Sequence, residues 1–389
     1  MRIGIVGCGY VADYYVECLK AYPQLKLVGV TDRDQDRARK FSLYYAIHQY
    51  SSLQEFLGDK EIDVVLNLTN PSSHFSVSRS CLEAGKHVYS EKPLATDLSE
   101  AGELVDLAQQ RNLYIVSGPC SILGETAQTL WKALRNNLIG RVRLVYADLD
   151  EGPIHLMSCN KWRSKSGTPW PYEDEFDVGC VLEHAAYYIS WLVAFFGPAR
   201  TVTTFTSCLW PDRMTGLSSV KGPDFSVACI TFASGVVARI SCSTIASLNR
   251  SLSIFGDSGT LATDNAFNYR SPVYLDRGIT FHSRWRDCPT NFPLWERLRR
   301  IRRGQRPWSV QRCPLVRSWK FNLRCAMDYA RGVAELASAI SERRPPRLSA
   351  QYSFHVNEVV LAIQNAAGAS STYKVLSSCD PVAPMPWAI

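Results

Sequence analysis

The chain has 389 residues, 46% of them hydrophobic and 20% charged, a size and balance that suit a soluble globular protein of two domains and exclude a disordered or fibrous one. No stretch approaches about 18 uninterrupted apolar residues, and Met1-Arg2 leads straight into a strand-like run, so a cytoplasmic protein with no membrane span is expected. The thirteen cysteines are scattered singly with no C-x-x-C pair, which argues for reduced, buried thiols and against disulfides or a metal site.

Residues 2–6 read as an apolar strand that ends in Gly7-Cys8-Gly9-Tyr10-Val11-Ala12, with a helix-like stretch to about Tyr22. A second apolar run, 25–31, ends in Asp32-Arg33, and a helical pattern follows from Asp34 to about Leu43. Further strands are expected at 64–68, 87–90 and 114–117, separated by helices at 73–84 and 98–111. Such alternation predicts a doubly wound parallel sheet, a Rossmann domain over residues 1–120.

After residue 120 the rhythm changes. Strands are expected at 142–150, 201–206, 226–233, 236–244 and 252–255, with one strong helix at 178–196 and two closing helices at about 322–341 and 350–367. Residues 121–389 should form an α+β domain with an open, mostly antiparallel sheet. Between Arg297 and Lys320 lie nine Arg or Lys and no acid, close to Trp295, Trp308 and Trp319. This block suits either an anionic partner or a solvated surface; no nucleic-acid-binding motif accompanies it, so no such partner is expected.

The strand, tight turn and helix around Gly7, Gly9 and Ala12 match a dinucleotide site. Gly7 permits the turn, Gly9 lets backbone amides approach a pyrophosphate at the helix N-terminus, and Ala12 keeps helix and strand close. Asp32, twenty residues on, can accept hydrogen bonds from ribose hydroxyls and would repel a 2′-phosphate, which favours NAD over NADP; Arg33 beside it can stack on adenine or meet a phosphate.

Glu91-Lys92-Pro93, just after the strand at 87–90, resembles the Gfo/Idh/MocA family of oxidoreductases. The resemblance extends through Thr69-Asn70-Pro71-x-x-His74, Ala84-Gly85-Lys86-His87-Val88, Lys161-Trp162-Arg163 and Ile254-Phe255-Gly256-x-x-Gly259-Thr260-Leu261. It implies cofactor contacts from Tyr10, Val11, Thr69, Asn70, Pro71, His74, Glu91, Trp162 and Arg163, with Lys92 beside the nicotinamide and a cis peptide before Pro93. A Lys ammonium there can hydrogen-bond the reacting hydroxyl and stabilise negative charge on oxygen.

The family's G-G-x-L-x-D-x-G-x-H helix aligns with the segment from Gly179 to Tyr187, with Glu183 where Asp is usual and Tyr187 where His is usual. A spacing of four puts both on one helical face. Tyr187 is a candidate general acid/base if Lys92 lowers its pKa from roughly 10. His184, roughly 100° from Glu183 and about 60° from Tyr187 on an α-helix, is either a relay or a packed histidine. Residues 170–175, Trp-Pro-Tyr-Glu-Asp-Glu, suit a sugar-binding lid or a plain loop. Gly118-Pro119-Cys120 departs from the family's Asn-Arg pair.

The implied function is hydride transfer between NAD(P) and a sugar, cyclitol or nucleotide-linked sugar. A redox-neutral enzyme with tightly held NAD and a non-catalytic NAD-binding sensor stay open; a sensor should lack the catalytic Lys. Relatives commonly pair through the open sheet, which implies a homodimer or homotetramer.

Overall fold

Nearly continuous burial of apolar residues builds the first sheet. Ile3 and Ile5 in β1 (Arg2–Val6), Val30 in β2 (Lys26–Thr31) and Val64 to Leu66 in β4 (Val64–Asn67) are all fully buried, as expected of strands covered on both faces. With β3 (His48–Gln49), β5 (His87–Ser90) and β6 (Ile115–Ser117) they form a parallel sheet of order β3-β2-β1-β4-β5-β6. The computed structural model describes residues 1–213, 220–277, 306–308, 327–366 and 371–389. The basic block falls outside the described residues apart from the backbone of Arg306–Trp308, and the predicted closing helix at 322–341 begins outside them.

Helices α1 (Ala12–Leu19), α2 (Gln35–Tyr45), α3 (Leu53–Gly58), α4 (His74–Glu83) and α5 (Leu98–Gln110) connect these strands. Helix α6 (Glu125–Arg135) then leads into the second sheet. Its strands are β7 (Val142–Asp150), β8 (Ala199–Ser207), β9 (Phe225–Phe232), β10 (Val237–Ser243), β11 (Leu252–Gly256), β12 (Gly259–Thr263), β13 (Val273–Asp276), β14 (Arg306–Trp308) and β15 (Ser371–Lys374). The order is β14-β13-β12-β11-β7-β10-β9-β8-β15, antiparallel except where β10 pairs parallel with β7. The mixed, mostly antiparallel sheet agrees with the expected fold; β3, β12, β13, β14 and β15 were not foreseen.

The single helix expected at 178–196 is broken. Helix α7 (Tyr172–Cys180) ends at Gly179, whose φ of 83° and ψ of 171° are not helical. Val181–Ala185 is a π-helical turn, and α8 (Ala186–Phe196) continues from it. The break has a packing cause: a Cβ on Gly179 would lie 2.5 Å from Pro223, and the next amide, Cys180 N–H, donates to the Pro223 carbonyl at 2.7 Å. The run Tyr172–Phe196 is long and apolar enough to cross a membrane by length and composition, but 67% of its most apolar window is buried inside the protein.

Helices α9 (Arg331–Glu342) and α10 (Ala350–Gln364) close the described chain. Helix α10 returns to the first sheet: Asn357 accepts from Leu94 N–H at 2.9 Å and donates to the Ala95 carbonyl at 3.1 Å, and Ser353 accepts from Ser117 N–H at 3.1 Å. These bonds hold the segment that carries Lys92. Every cysteine among the described residues is a free thiol, and most are buried.

Candidate active site

The turn between β1 and α1 is shaped by two glycines in different ways. Gly7 has φ +98°, and a Cβ there would strike the Leu68 carbonyl at 2.6 Å, whereas a Cβ on Gly9 would meet nothing within 4 Å. The chain itself needs Gly7; the open space over Gly9, at a helix N-terminus, fits a pyrophosphate. Gly9, Tyr10 and Val11 line a cavity of about 590 Å³, within the range of small-molecule sites. Ala12 is fully buried beneath it.

An adjoining cavity of about 370 Å³ is lined by Gly7, Asp32, Arg33, Thr69 and Asn70. The Asp32 carboxylate is fixed by Cys8 N–H at 2.8 Å and Asp34 N–H at 2.9 Å, with Arg37 at 3.6 Å. The residues present therefore fit a dinucleotide: glycine turn, anchored carboxylate at the ribose end, and a continuous cavity. His74 is buried with one ring nitrogen 2.6 Å from the Pro93 carbonyl and the other 2.9 Å from the Thr69 carbonyl, so the ring packs between these two loops. Thr69 is held in turn by Asn67 Oδ1 at 2.7 Å, and Pro71 lines the larger cavity.

At the other end of the larger cavity stand Glu91, Lys92, Glu175, Glu183 and Tyr187. The Lys92-Pro93 and Gly118-Pro119 bonds are cis. Glu91 accepts from the Tyr15 hydroxyl at 2.6 Å and from Lys92 N–H at 3.0 Å, which sets the loop. Lys92 Nζ donates to Glu183 Oε2 at 2.7 Å. Burial opposes charge on Lys92, but Glu183, Glu175 and Glu91 outweigh it and hold the ammonium above its ordinary pKa. Burial likewise opposes charge on Glu183, and Lys92 keeps that carboxylate below its usual range.

Tyr187 differs from the sequence-based expectation. Burial, then Glu91 and Glu183, pushes its hydroxyl well above the ordinary phenol range. Lys92 is therefore not what sets it: burial is the largest cause, the carboxylates add to it, and the ammonium itself is paired with Glu183. Its ring packs on Phe267 at 4.3 Å.

Three candidates stand away from the cavity wall. His184 leaves the cavity because the π turn alters the α-helical angles; its Nδ1 is buried without a hydrogen-bond partner, and burial lowers its pKa. Trp162 packs behind Trp170 with ring centroids 5.0 Å apart, so Trp170 takes the wall position. Arg163 donates to the carbonyls of Asn160 (2.9 Å) and Trp162 (2.8 Å).

Sequence reasoning reached only the end of a strap formed by residues 164–171, through the lid or loop expected at 170–175, of which residues 172–175 are helical instead. Asp13, at the start of α1, accepts from Ser166 N–H and Ser166 Oγ, both at 2.8 Å, and Glu17 accepts from Lys165 at 2.6 Å. The strap lies over the glycine turn and supplies Ser166, Gly167, Thr168, Pro169, Trp170 and Pro171 to the cavity. Asn70 reaches across to Asp174 Oδ2 at 2.6 Å. An acid in the first turn of a helix was the available signal for Asp13, but it reads equally as a dipole contact.

Residues 1–118 match the oxidoreductase family described by its NAD-binding Rossmann fold, and residues 127–262 match the GFO/IDH/MocA C-terminal domain. The chain belongs to the Gfo/Idh/MocA family. It is thus an NAD(P)-dependent oxidoreductase acting on CH–OH groups. It is 24% identical to trans-1,2-dihydrobenzene-1,2-diol dehydrogenase of Bos taurus over 67% of this chain and 72% of that one. Two solved structures share the fold. The WlbA dehydrogenase from Bordetella pertussis, in complex with NADH and UDP-GlcNAcA, is 18% identical with TM-score 0.68 over 93% of this chain and 94% of that one. A 3-ketoreductase from Actinomadura kijaniata, in complex with TDP-benzene and NADP, is 20% identical with TM-score 0.68 over 95% and 98%. In this Gfo/Idh/MocA protein the Gly118-Pro119-Cys120 segment turns inward: Cys120 is buried with its sulfur 3.3 Å from the Tyr269 hydroxyl.

Proposed function

We propose that this protein transfers hydride between a nicotinamide cofactor and a hydroxyl or carbonyl carbon of a sugar, cyclitol or nucleotide-linked sugar. The observation that carries the reading is the Lys92–Glu183 pair, 2.7 Å apart, on the wall of the same cavity that runs into the glycine turn. A bound nicotinamide supplies or accepts the hydride. Lys92, held as an ammonium, hydrogen-bonds the reacting oxygen and stabilises negative charge on it. Glu183 positions Lys92, and Tyr187, kept protonated, is a second donor to the substrate. Trp170 offers an apolar wall to a ring. Asp32, anchored in the ribose-side cavity, favours NAD; Arg33 lines both cavities and tempers that preference.

The test is NADH formation on a panel of myo-inositol, UDP-N-acetylglucosamine and trans-1,2-dihydrobenzene-1,2-diol, and NADH oxidation with the matching ketones, for wild type and Lys92→Ala. The variant is expected to lose about 10²- to 10⁴-fold in kcat/KM while still binding NAD. Equal turnover in the variant would sink the assignment of Lys92.

The strap favours a second reading, a redox-neutral enzyme that retains NAD between turnovers, because Asp13 and Glu17 clamp it over the cofactor turn. Native mass spectrometry distinguishes the two: NAD that copurifies, with turnover but no net NADH, supports the redox-neutral form.

A further inference from the structure

Glu175, which the sequence marks only as the last residue of a lid or loop at 170–175, lines the cavity with Lys92, Glu183 and Tyr187. Glu175 and Glu183 thus bring two carboxyls into one buried cluster around a single ammonium, and each acts on the other's charge. Two carboxylates held together in this way repel unless one takes up a proton, which it can then donate to the other. Lys92 supplies a single positive charge at 2.7 Å from Glu183, enough to balance one carboxylate but not two.

We propose that Glu175 and Glu183 hold one proton between them, and that this pair, fixed by Lys92, stores the proton delivered to the substrate oxygen. The inference rests on the hydride-transfer reading above. Charge facing the pair agrees with it. Asp174, on the same turn of α7, adds negative charge beside Glu175; Glu91 faces Lys92 from the loop after β5; His184 faces Glu183 from the π turn and stays neutral. Burial, then Glu183, pushes the Glu175 carboxyl well above the usual range while Lys92 holds Glu183 below it, so of the two the proton rests on Glu175.

The balance is simple. In carbonyl reduction the carbon receives the hydride that the reduced cofactor supplies, and the oxygen receives the proton. The Glu175 O–H bond breaks, its electron pair stays on the carboxylate, and solvent restores the proton. Oxidation of the alcohol runs in reverse and requires the pair to have lost its proton first. The resting site is therefore set for reduction, and oxidation should rise with pH while reduction falls.

The full-length protein in D₂O at neutral pH should show the infrared C=O stretch of a neutral carboxylic acid, and Glu175→Gln should lack it. With any ketone of the panel that supports NADH oxidation, Glu175→Gln should lose about 100-fold or more in kcat/KM and lose the alkaline fall of the wild-type profile. NAD binding should be unchanged. Absence of the band in wild type overturns the shared proton whatever the substrate. An unchanged rate and pH profile in Glu175→Gln overturns its delivery. Failure of the wild type on the whole panel overturns the hydride-transfer reading and the delivery step with it, while the band still decides the shared proton.

Discussion

Gly7 and Gly9 separate what the fold requires from what the ligand requires. Gly7→Ala places a side chain at φ +98° and 2.6 Å from the Leu68 carbonyl, so the fold should lose about 1–3 kcal/mol. Gly9→Ala meets no protein atom within 4 Å and should melt at the wild-type temperature, yet its methyl group occupies the space offered to the pyrophosphate. Isothermal titration should show NAD affinity for Gly9→Ala reduced about tenfold or more; unchanged affinity would move the cofactor elsewhere. The need for Gly7 was legible in the sequence because turn chemistry is local. The acidity of Tyr187 was not, since it depends on how deeply the folded chain buries the ring and on the carboxylates brought near it.

At the scale of elements, β7 shows how a strand stores unfavourable charge. Asp148 and Asp150 lie on one face of it, with Glu151 following, and burial together with Asp148 pushes the Asp150 carboxyl up to about 6. A carboxyl whose pKa is higher folded than unfolded favours folding while protonated, below about pH 4. That contribution is lost as pH rises through about 6. Asp150→Asn should therefore raise Tm by about 2–4 °C at pH 8 and leave it unchanged near pH 3.5, as scanning calorimetry at the two values can check. The 178–196 segment teaches the companion lesson: its apolar pattern announced a helix, but Gly179 against Pro223 decided where that helix breaks, and so which way His184 faces.

Among the described residues of the whole molecule, one face of the larger sheet is left open. Phe255, Tyr146, Arg239 and Phe205 share it, because the registers align Tyr146 with Arg239, Arg239 with Cys229, and Cys229 with Thr203. Tyr146 and Phe205 remain 41% and 38% exposed, and Arg239 stacks over Tyr146 at 4.6 Å. Exposed aromatic residues on a broad sheet suit a self-complementary interface. Sedimentation should find a dimer or tetramer that Tyr146→Glu combined with Phe205→Glu converts to monomer; a monomeric wild type would reject the interface.

By itself the sequence determined the parallel α/β domain and the glycine turn with Asp32 twenty residues on, written in short stretches whose conformation follows from periodicity or a tight turn. Glu91-Lys92-Pro93 and the segment from Gly179 to Tyr187 were marked by the family resemblance alone. Only the tertiary structure decided that Glu175 joins Glu183 in one cavity wall, that Asn70 spans to Asp174, and that Ser166 docks on Asp13. Apart from the Glu175–Glu183 pair, these contacts join residues more than a hundred positions apart. All three depend on how helices and straps pack over the cavity, and packing at that range leaves no period or motif in the chain.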